Sequence, residues 1–129
     1  MEIINNKHTA KILLVDDDER IQKTFQEFLP TNKYELVTAI NSHSANAALS
    51  SQTIRLIILD LNFNGESGFA LLKTIRKNDN KIPIIVFSGA VTPQTEIELK
   101  EAQASDVIDK ARGIIPVIEK MDALLDNIS

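Results

Sequence analysis

The sequence predicts an α/β fold, a doubly wound five-stranded parallel sheet in (βα)5 order, and three observations carry that prediction. Short apolar runs such as Ile12-Leu13-Leu14-Val15 and Leu56-Ile57-Ile58-Leu59 lack the polar alternation of half-exposed strands, so they read as strands covered on both faces. Segments with apolar residues at helical spacing separate these runs. The runs also end on polar or charged groups, at the edge where the loops of such a sheet converge.

A chain of 129 residues has room for one domain with a single sizeable core, and 43% hydrophobic content with four Gly and four Pro argues for a compact chain over a disordered one. A formal charge of 14 minus 18, or −4, speaks against nucleic acid or an anionic membrane as a partner. The absence of cysteine excludes disulfides and thiolate metal sites. No apolar run is long enough to cross a bilayer, and the first residues lack the order of a signal peptide, so a soluble cytoplasmic protein is expected.

Residues 1 to 10 are polar and read as a loosely ordered leader, with the domain proper at 11 to 128. Ile12–Val15 is the first strand and ends on Asp16, Asp17 and Asp18. Ile21, Phe25, Phe28 and Leu29 then recur at helical spacing, with Asp18 as cap and Pro30 as stop. Tyr34–Ala39 alternates weakly as a second strand, and Ala45, Ala47, Ala48 and Leu49 suggest a small helix. The third strand runs into Asp60; Asn64-Gly65 makes a turn, Ser67 caps, and Phe69, Leu71, Leu72 and Ile75 carry a helix to about Asn78. Ile82–Phe87 is a fourth buried run, with Pro83 at its start. Thr92-Pro93 opens a helix with a thin apolar side, Ile97 and Leu99. Val107-Ile108 is a short fifth strand, and Ile114, Ile118, Met121 and Leu125 line a last helix whose stripe Val117, Leu124 and Ile128 widen. That breadth allows a homodimer contact through the fourth and fifth helices, although a well-buried helix accounts for it as well.

Four of the five strands end in a group with chemistry: Asp16 and Asp17, Asp60, Ser88, and Lys110. Parallel strands share one C-terminal edge, so these groups should meet in one crevice. Three carboxylates within reach of each other repel unless a cation joins them, and a hard divalent ion held by carboxylates, a carbonyl and waters is the chemistry of magnesium. Asp60 is then a candidate nucleophile toward phosphorus, with Lys110 as a point charge and Ser88 as a hydroxyl donor for phosphoryl oxygens. Singly, each has a plainer reading: a solvated helix start for the acidic run, a turn cap for Asp60, a turn former for Ser88, a solvent-facing lysine for Lys110. Their joint recurrence at strand ends, in order, weighs toward function.

As a set, Ile12-Leu13-Leu14-Val15-Asp16-Asp17-Asp18, the strand into Asp60 with Gly68 eight positions on, Pro83-Ile84-Ile85-Val86-Phe87-Ser88-Gly89, and Lys110 are distinctive. The chain resembles the receiver domain of two-component response regulators over residues 11 to 128. The resemblance implies a CheY-like sheet and a phosphoacceptor at Asp60. It further implies a magnesium site made by Asp17 directly, Asp16 largely through water, Asp60, and Asn62 through its backbone carbonyl. Ser88 and Lys110 would hold the phosphoryl group. The donor would be a histidine kinase or histidine phosphotransfer protein docking near Ile21 and Thr24 of the first helix, and the chain would promote only its own phosphorylation and dephosphorylation. The two histidines, His8 and His43, are then solvated and not donors, and no output domain is expected within this chain, which reads either as a stand-alone relay module or as a piece of a longer protein.

Departures from the family pattern touch propagation more than chemistry. Val107 stands where an aromatic residue usually lies three positions before the lysine, Ala111 where a proline usually follows it, and Phe63-Asn64 where a proline usually follows the phosphoacceptor. Two other readings stay open: a degenerate receiver that serves only as a protein-binding module, and a phosphohydrolase with Asp60 as nucleophile. The second would want a general acid two residues on, where Asn62 has no proton to give.

Overall fold

The computed structural model describes residues 9–79 and 81–126, in which strand and helix alternate along the chain. In order, these are β1 (Ala10–Val15), α1 (Glu19–Phe28), β2 (Tyr34–Ala39), α2 (Ser42–Ser51) and β3 (Ile54–Leu59). A two-residue hairpin follows, β4 (Asn62–Phe63) with β5 (Glu66–Ser67), and then α3 (Gly68–Asn78), β6 (Ile84–Ser88), α4 (Pro93–Glu101), β7 (Asp106–Asp109) and α5 (Ile115–Asp126). The large sheet runs β2-β1-β3-β6-β7 with every neighbouring pair parallel. Its order reverses between β1 and β3, which makes their C-terminal ends the crevice of the fold.

Leu56, Ile57, Ile58 and Leu59 are wholly buried, as their unbroken run predicts. Leu56 and Ile58 pack with Phe25 of α1 and Val117, Met121 and Leu125 of α5. Ile57 and Leu59 pack on the other face with Ala45 and Ala48 of α2, Leu71, Leu72 and Ile75 of α3, and Leu99 of α4. At about 1.5–3 kcal/mol per buried side chain, these four residues contribute about 6–12 kcal/mol relative to exposure. That anchorage is what allows a carboxylate to be carried, nearly buried, at the end of the strand.

The helix starts follow the expected caps: Asp18 accepts from the Arg20 N–H at 2.9 Å, Ser67 from Ala70 at 3.1 Å, and Thr92 from Thr95 at 3.1 Å, with Pro93 in the first turn. Asn41 and Ser44 add a capping box on α2 that the weak apolar pattern there does not announce.

Several expectations need correction. Ala10 already belongs to β1 and donates to the Lys33 carbonyl at 2.9 Å, so it is not part of a leader; residues 1–8, His8 included, lie outside the described residues. Phe28, counted in the apolar stripe of α1, is 60% exposed because the helix ends there while Phe25 and Leu29 face the core. Ile97 and Leu99 cannot share a face, being two positions apart on a helix: Leu99 is buried and Ile97 is 55% exposed. The stripe of α5 goes into the core through Ile114, Val117, Met121 and Leu125, with Ile118 and Leu124 half-buried beside them; Ile128 lies outside the described residues.

Candidate functional site

The ladders that β1 makes with β3 and with β2 each continue one residue past the strands, and this brings two carboxylates to the sheet edge. The Asp60 N–H donates to the Val15 carbonyl at 3.0 Å, and the Asp16 N–H to the Ala39 carbonyl at 3.1 Å. Asp16 is 1% exposed and Asp60 8%, whereas Asp17, one residue further along the loop, is exposed. One carboxylate oxygen from each of the three lies within 4.8 Å of the others.

Lys110 answers them from the turn after β7. Its Nζ lies 2.9 Å from Asp16 Oδ2 and 3.1 Å from Asp60 Oδ2. Burial pulls the ammonium down, but the two carboxylates outweigh it and hold Lys110 above its ordinary value. Burial pushes the Asp16 carboxyl up, despite the Asp18 N–H and Lys110. One ammonium cannot satisfy three carboxylates. Asp16 Oδ2 is buried and has no hydrogen bond of good geometry, although Lys110 lies in ion-pairing range. An oxygen-only donor set with such an orphaned atom fits a hard divalent cation.

The loop after β1 is fixed locally: the Asp18 N–H donates to Asp16 Oδ1 at 2.9 Å, and Gln22 Nε2 to the Asp16 carbonyl at 2.9 Å. After β3, the Leu61 N–H donates to Asp60 Oδ1 at 2.8 Å. Asn64 and Gly65, at φ 51° and 76°, form the tight turn that an Asn-Gly pair favours. The Asn64 N–H donates to Asp17 Oδ2 at 2.8 Å, its Nδ2 to the Ile40 carbonyl at 2.8 Å, and the Ser42 N–H donates to Glu66 Oε1 at 2.9 Å. Gly68 opens α3 directly beneath the site, where a Cβ would lie 1.9 Å from the Asp60 carbonyl oxygen.

Of the residues singled out in the sequence, Asp16, Asp17, Asp60 and Lys110 are thus brought together. Ser88 is buried at the end of β6, 2% exposed, and its hydroxyl oxygen accepts from the Ala90 N–H at 3.2 Å. Asn62 lies on the hairpin, paired with Ser67 and exposed. Around Lys110 no peptide among the described residues is cis; Asp109 Oδ1 accepts from the Ala111 N–H at 2.8 Å and caps a single 3-10 turn over Lys110–Arg112. Val107 is buried beside Leu99 and Val86, and His43 is exposed in the first turn of α2. Gln22 is the residue near the site that motif reading passed over; Asn64 and Gly68 are read in the sequence as a turn former and a motif glycine, without the contacts that they make to Asp17 and to the Asp60 carbonyl.

Comparison with known proteins finds the same fold. The family model described as "Response regulator receiver domain" matches residues 12–121. Regulatory protein VanRB of Enterococcus faecalis is 30% identical over 117 residues, 91% of this chain and 53% of that protein. The chain spans about half the length of the curated relatives it matches. The Francisella response regulator 1452 receiver domain superposes with a TM-score of 0.86 at 22% identity, covering 94% of this chain and 100% of that one. Response regulator Rcp1, solved in a Mn(2+)-bound form, gives a TM-score of 0.71 at 27% identity, covering 87% and 88%.

Proposed function

Because the chain belongs to the response regulator receiver domain family, matching its model over residues 12–121, we propose that it accepts a phosphoryl group on Asp60 from a histidine kinase or histidine phosphotransfer protein. The observation that carries this reading is the buried carboxylate pair, Asp16 and Asp60, bridged by one lysine that ion-pairs with Asp16 Oδ2 without a hydrogen bond of good geometry. Asp16, Asp17 and Asp60, with the Asn62 carbonyl, would hold a magnesium ion there; the Mn(2+)-bound Rcp1 structure supports such a site by analogy. Bound, the ion supplies positive charge to the oxygens of the transferring group.

An Asp60 carboxylate oxygen attacks phosphorus in line, the P–N bond of a phosphohistidine breaks, and its electron pair leaves on the imidazole nitrogen. The product is an acyl phosphate on Asp60. Lys110, already 3.1 Å from Asp60 Oδ2, offsets the charge of the arriving phosphoryl oxygens. The Ser88 hydroxyl serves as a donor once turned from the Ala90 amide. With Val107 in place of a rotating aromatic, that movement is read out through the backbone before Thr92 and the exposed surface of α4. Ile21 and Thr24, both half-buried on α1, lie on the docking face for the donor.

We assign the chain to the cytoplasm; among the described residues no helix is long and apolar enough to cross a membrane. Since the stripe of α5 is taken up by the core, a homodimer through α4 and α5 would rely on the exposed Ile97 and Ile115. The phosphohydrolase reading lacks a general acid, because Asn62 can donate no proton. The degenerate-module reading rests on Val107 and Ala111, which lie outside the carboxylate cluster.

The test is intact-protein mass after incubation with magnesium and acetyl phosphate or a phosphoramidate, beside Asp60→Asn. A hydroxylamine-labile gain of one phosphoryl group, lost in the variant and without magnesium, is expected. No gain with either donor, from folded protein that binds magnesium, would overturn the reading.

A further inference from the structure

Asp17 differs from its two partners in one respect: Asp16 and Asp60 are buried and braced by the sheet, while Asp17 stands exposed on the loop. An exposed aspartate would otherwise sample several rotamers, and a metal ligand that must be ordered on binding gives up affinity. Its carboxylate is held from across the chain by the backbone N–H of Asn64 at 2.8 Å, a charge-assisted bond.

That N–H points where it does because Asn64 adopts a left-handed φ of 51°, followed by Gly65 at 76°. Asparagine tolerates this conformation better than most residues, and the pair makes a rigid two-residue turn. The turn is itself tied down: Asn64 Nδ2 donates to the Ile40 carbonyl at 2.8 Å, and Glu66 Oε1 accepts from the Ser42 N–H at 2.9 Å. A donor mounted on this braced hairpin is fixed relative to β1 and β3, which carry the other two carboxylates. A carboxylate oxygen has more than one lone pair, so the bond orients Asp17 without using up its capacity to ligate.

We propose that Asn64 is a positioning residue of the metal site: its backbone N–H, aimed by the left-handed turn and braced against the β2–α2 loop, orients Asp17 toward the cation shared with Asp16 and Asp60. Outer partners of metal ligands are commonly worth ~10–100-fold in affinity. A proline at this position would have no N–H to offer and could not take the positive φ.

The inference rests on the magnesium site proposed above, and a calorimetric titration with magnesium chloride separates the two. Four chains are compared: unsubstituted, Asn64→Pro, Asp17→Asn, and the double variant, with thermal midpoints in chelator showing that each is folded. Asn64→Pro should weaken magnesium binding ~10-fold or more. In the Asp17→Asn background the same change should add less than about twofold, because its target is gone. Asn64→Gly keeps both the N–H and the turn, and should stand closer to the unsubstituted chain than to the proline variant. Equal losses in both backgrounds, no loss in Asn64→Pro, or a glycine variant as weak as the proline one would each overturn the proposal. Should Asn64→Pro fail to fold, amide exchange decides: the Asn64 N–H should exchange faster in Asp17→Ala than in the unsubstituted chain, and an unchanged rate overturns the proposal. No magnesium uptake by the unsubstituted chain overturns the metal-site reading itself and this inference with it, whereas uptake undiminished in Asn64→Pro overturns this inference alone.

Discussion

Replacing Lys110 by methionine keeps most of the side-chain stem and removes the one charge that bridges Asp16 Oδ2 at 2.9 Å and Asp60 Oδ2 at 3.1 Å. The two carboxylates are 1% and 10% exposed at their side chains, so neither can turn to water for compensation. Breaking a buried ion pair by deleting one partner typically costs 3–5 kcal/mol; with Lys110 itself 22% exposed, a cost of about 3 kcal/mol is expected. With a urea slope of about 1.5–2 kcal/mol/M, the unfolding midpoint in chelator should fall by about 1.5–2 M. The loss should shrink on adding magnesium, which neutralises the same oxygens. It should also shrink as the solution is acidified, because the Asp16 carboxyl, already raised by burial, takes up a proton and relieves the repulsion. In the unsubstituted chain Lys110 sits above its ordinary value, so its stabilisation is fully present below about pH 10 and is lost only as pH rises through the folded value. A midpoint in chelator that moves by less than about 0.3 M, or a loss that magnesium leaves unchanged, would refute the reasoning.

Two further outcomes follow from other parts of the molecule. Gly68→Ala would place a Cβ 1.9 Å from the Asp60 carbonyl oxygen and 2.9 Å from the Leu61 Cα, both backbone atoms that cannot turn aside. It should cost about 1–3 kcal/mol in urea unfolding and slow phosphorylation by acetyl phosphate, and an unchanged midpoint and rate would contradict it. Asp122 of α5 accepts from the Tyr34 hydroxyl and from Lys33 Nζ at 3.1 Å; burial works against its charge, but these donors hold its carboxyl below the ordinary value. Such a carboxylate stabilises the fold above its unfolded value of ~3.9, and that contribution is lost as pH falls through the folded one. Asp122→Asn should therefore cost about 0.5–1 kcal/mol at neutral pH, a small figure because Asp122 is 38% exposed, and the difference should vanish at the most acid pH of a urea midpoint series. A difference that grows on acidification would refute the sign.

Strand positions could be read directly because burial on both faces is written into local composition. Tyr34–Ala39 coincides with β2, and Leu56–Leu59 fills the wholly buried part of β3. Caps could be read for the same reason: Asp18, Ser67 and Thr92 each serve an N–H within three residues. Local spacing is ambiguous at the ends and on the thin faces of helices. Phe28 fits an apolar stripe on paper, but α1 ends at that residue and nothing packs over it to bury it. Ile97 and Leu99 are close in sequence, but the turn of a helix sends them to different sides.

The frame and the chemistry it carries follow from local pattern alone: parallel strands share an edge, so Asp16, Asp60 and Lys110, each following a strand, had to meet. How those groups are held depends on contacts between distant segments. Asn64 reaches Asp17 across 47 positions of chain through a backbone amide, and Gly68 matters because Asp60's carbonyl lies where its side chain would be. A backbone N–H carries no residue signature, and close approach is visible only once the two segments are in contact. Such features depend on loops fixed by distant partners, while strand ends depend only on where an apolar run stops.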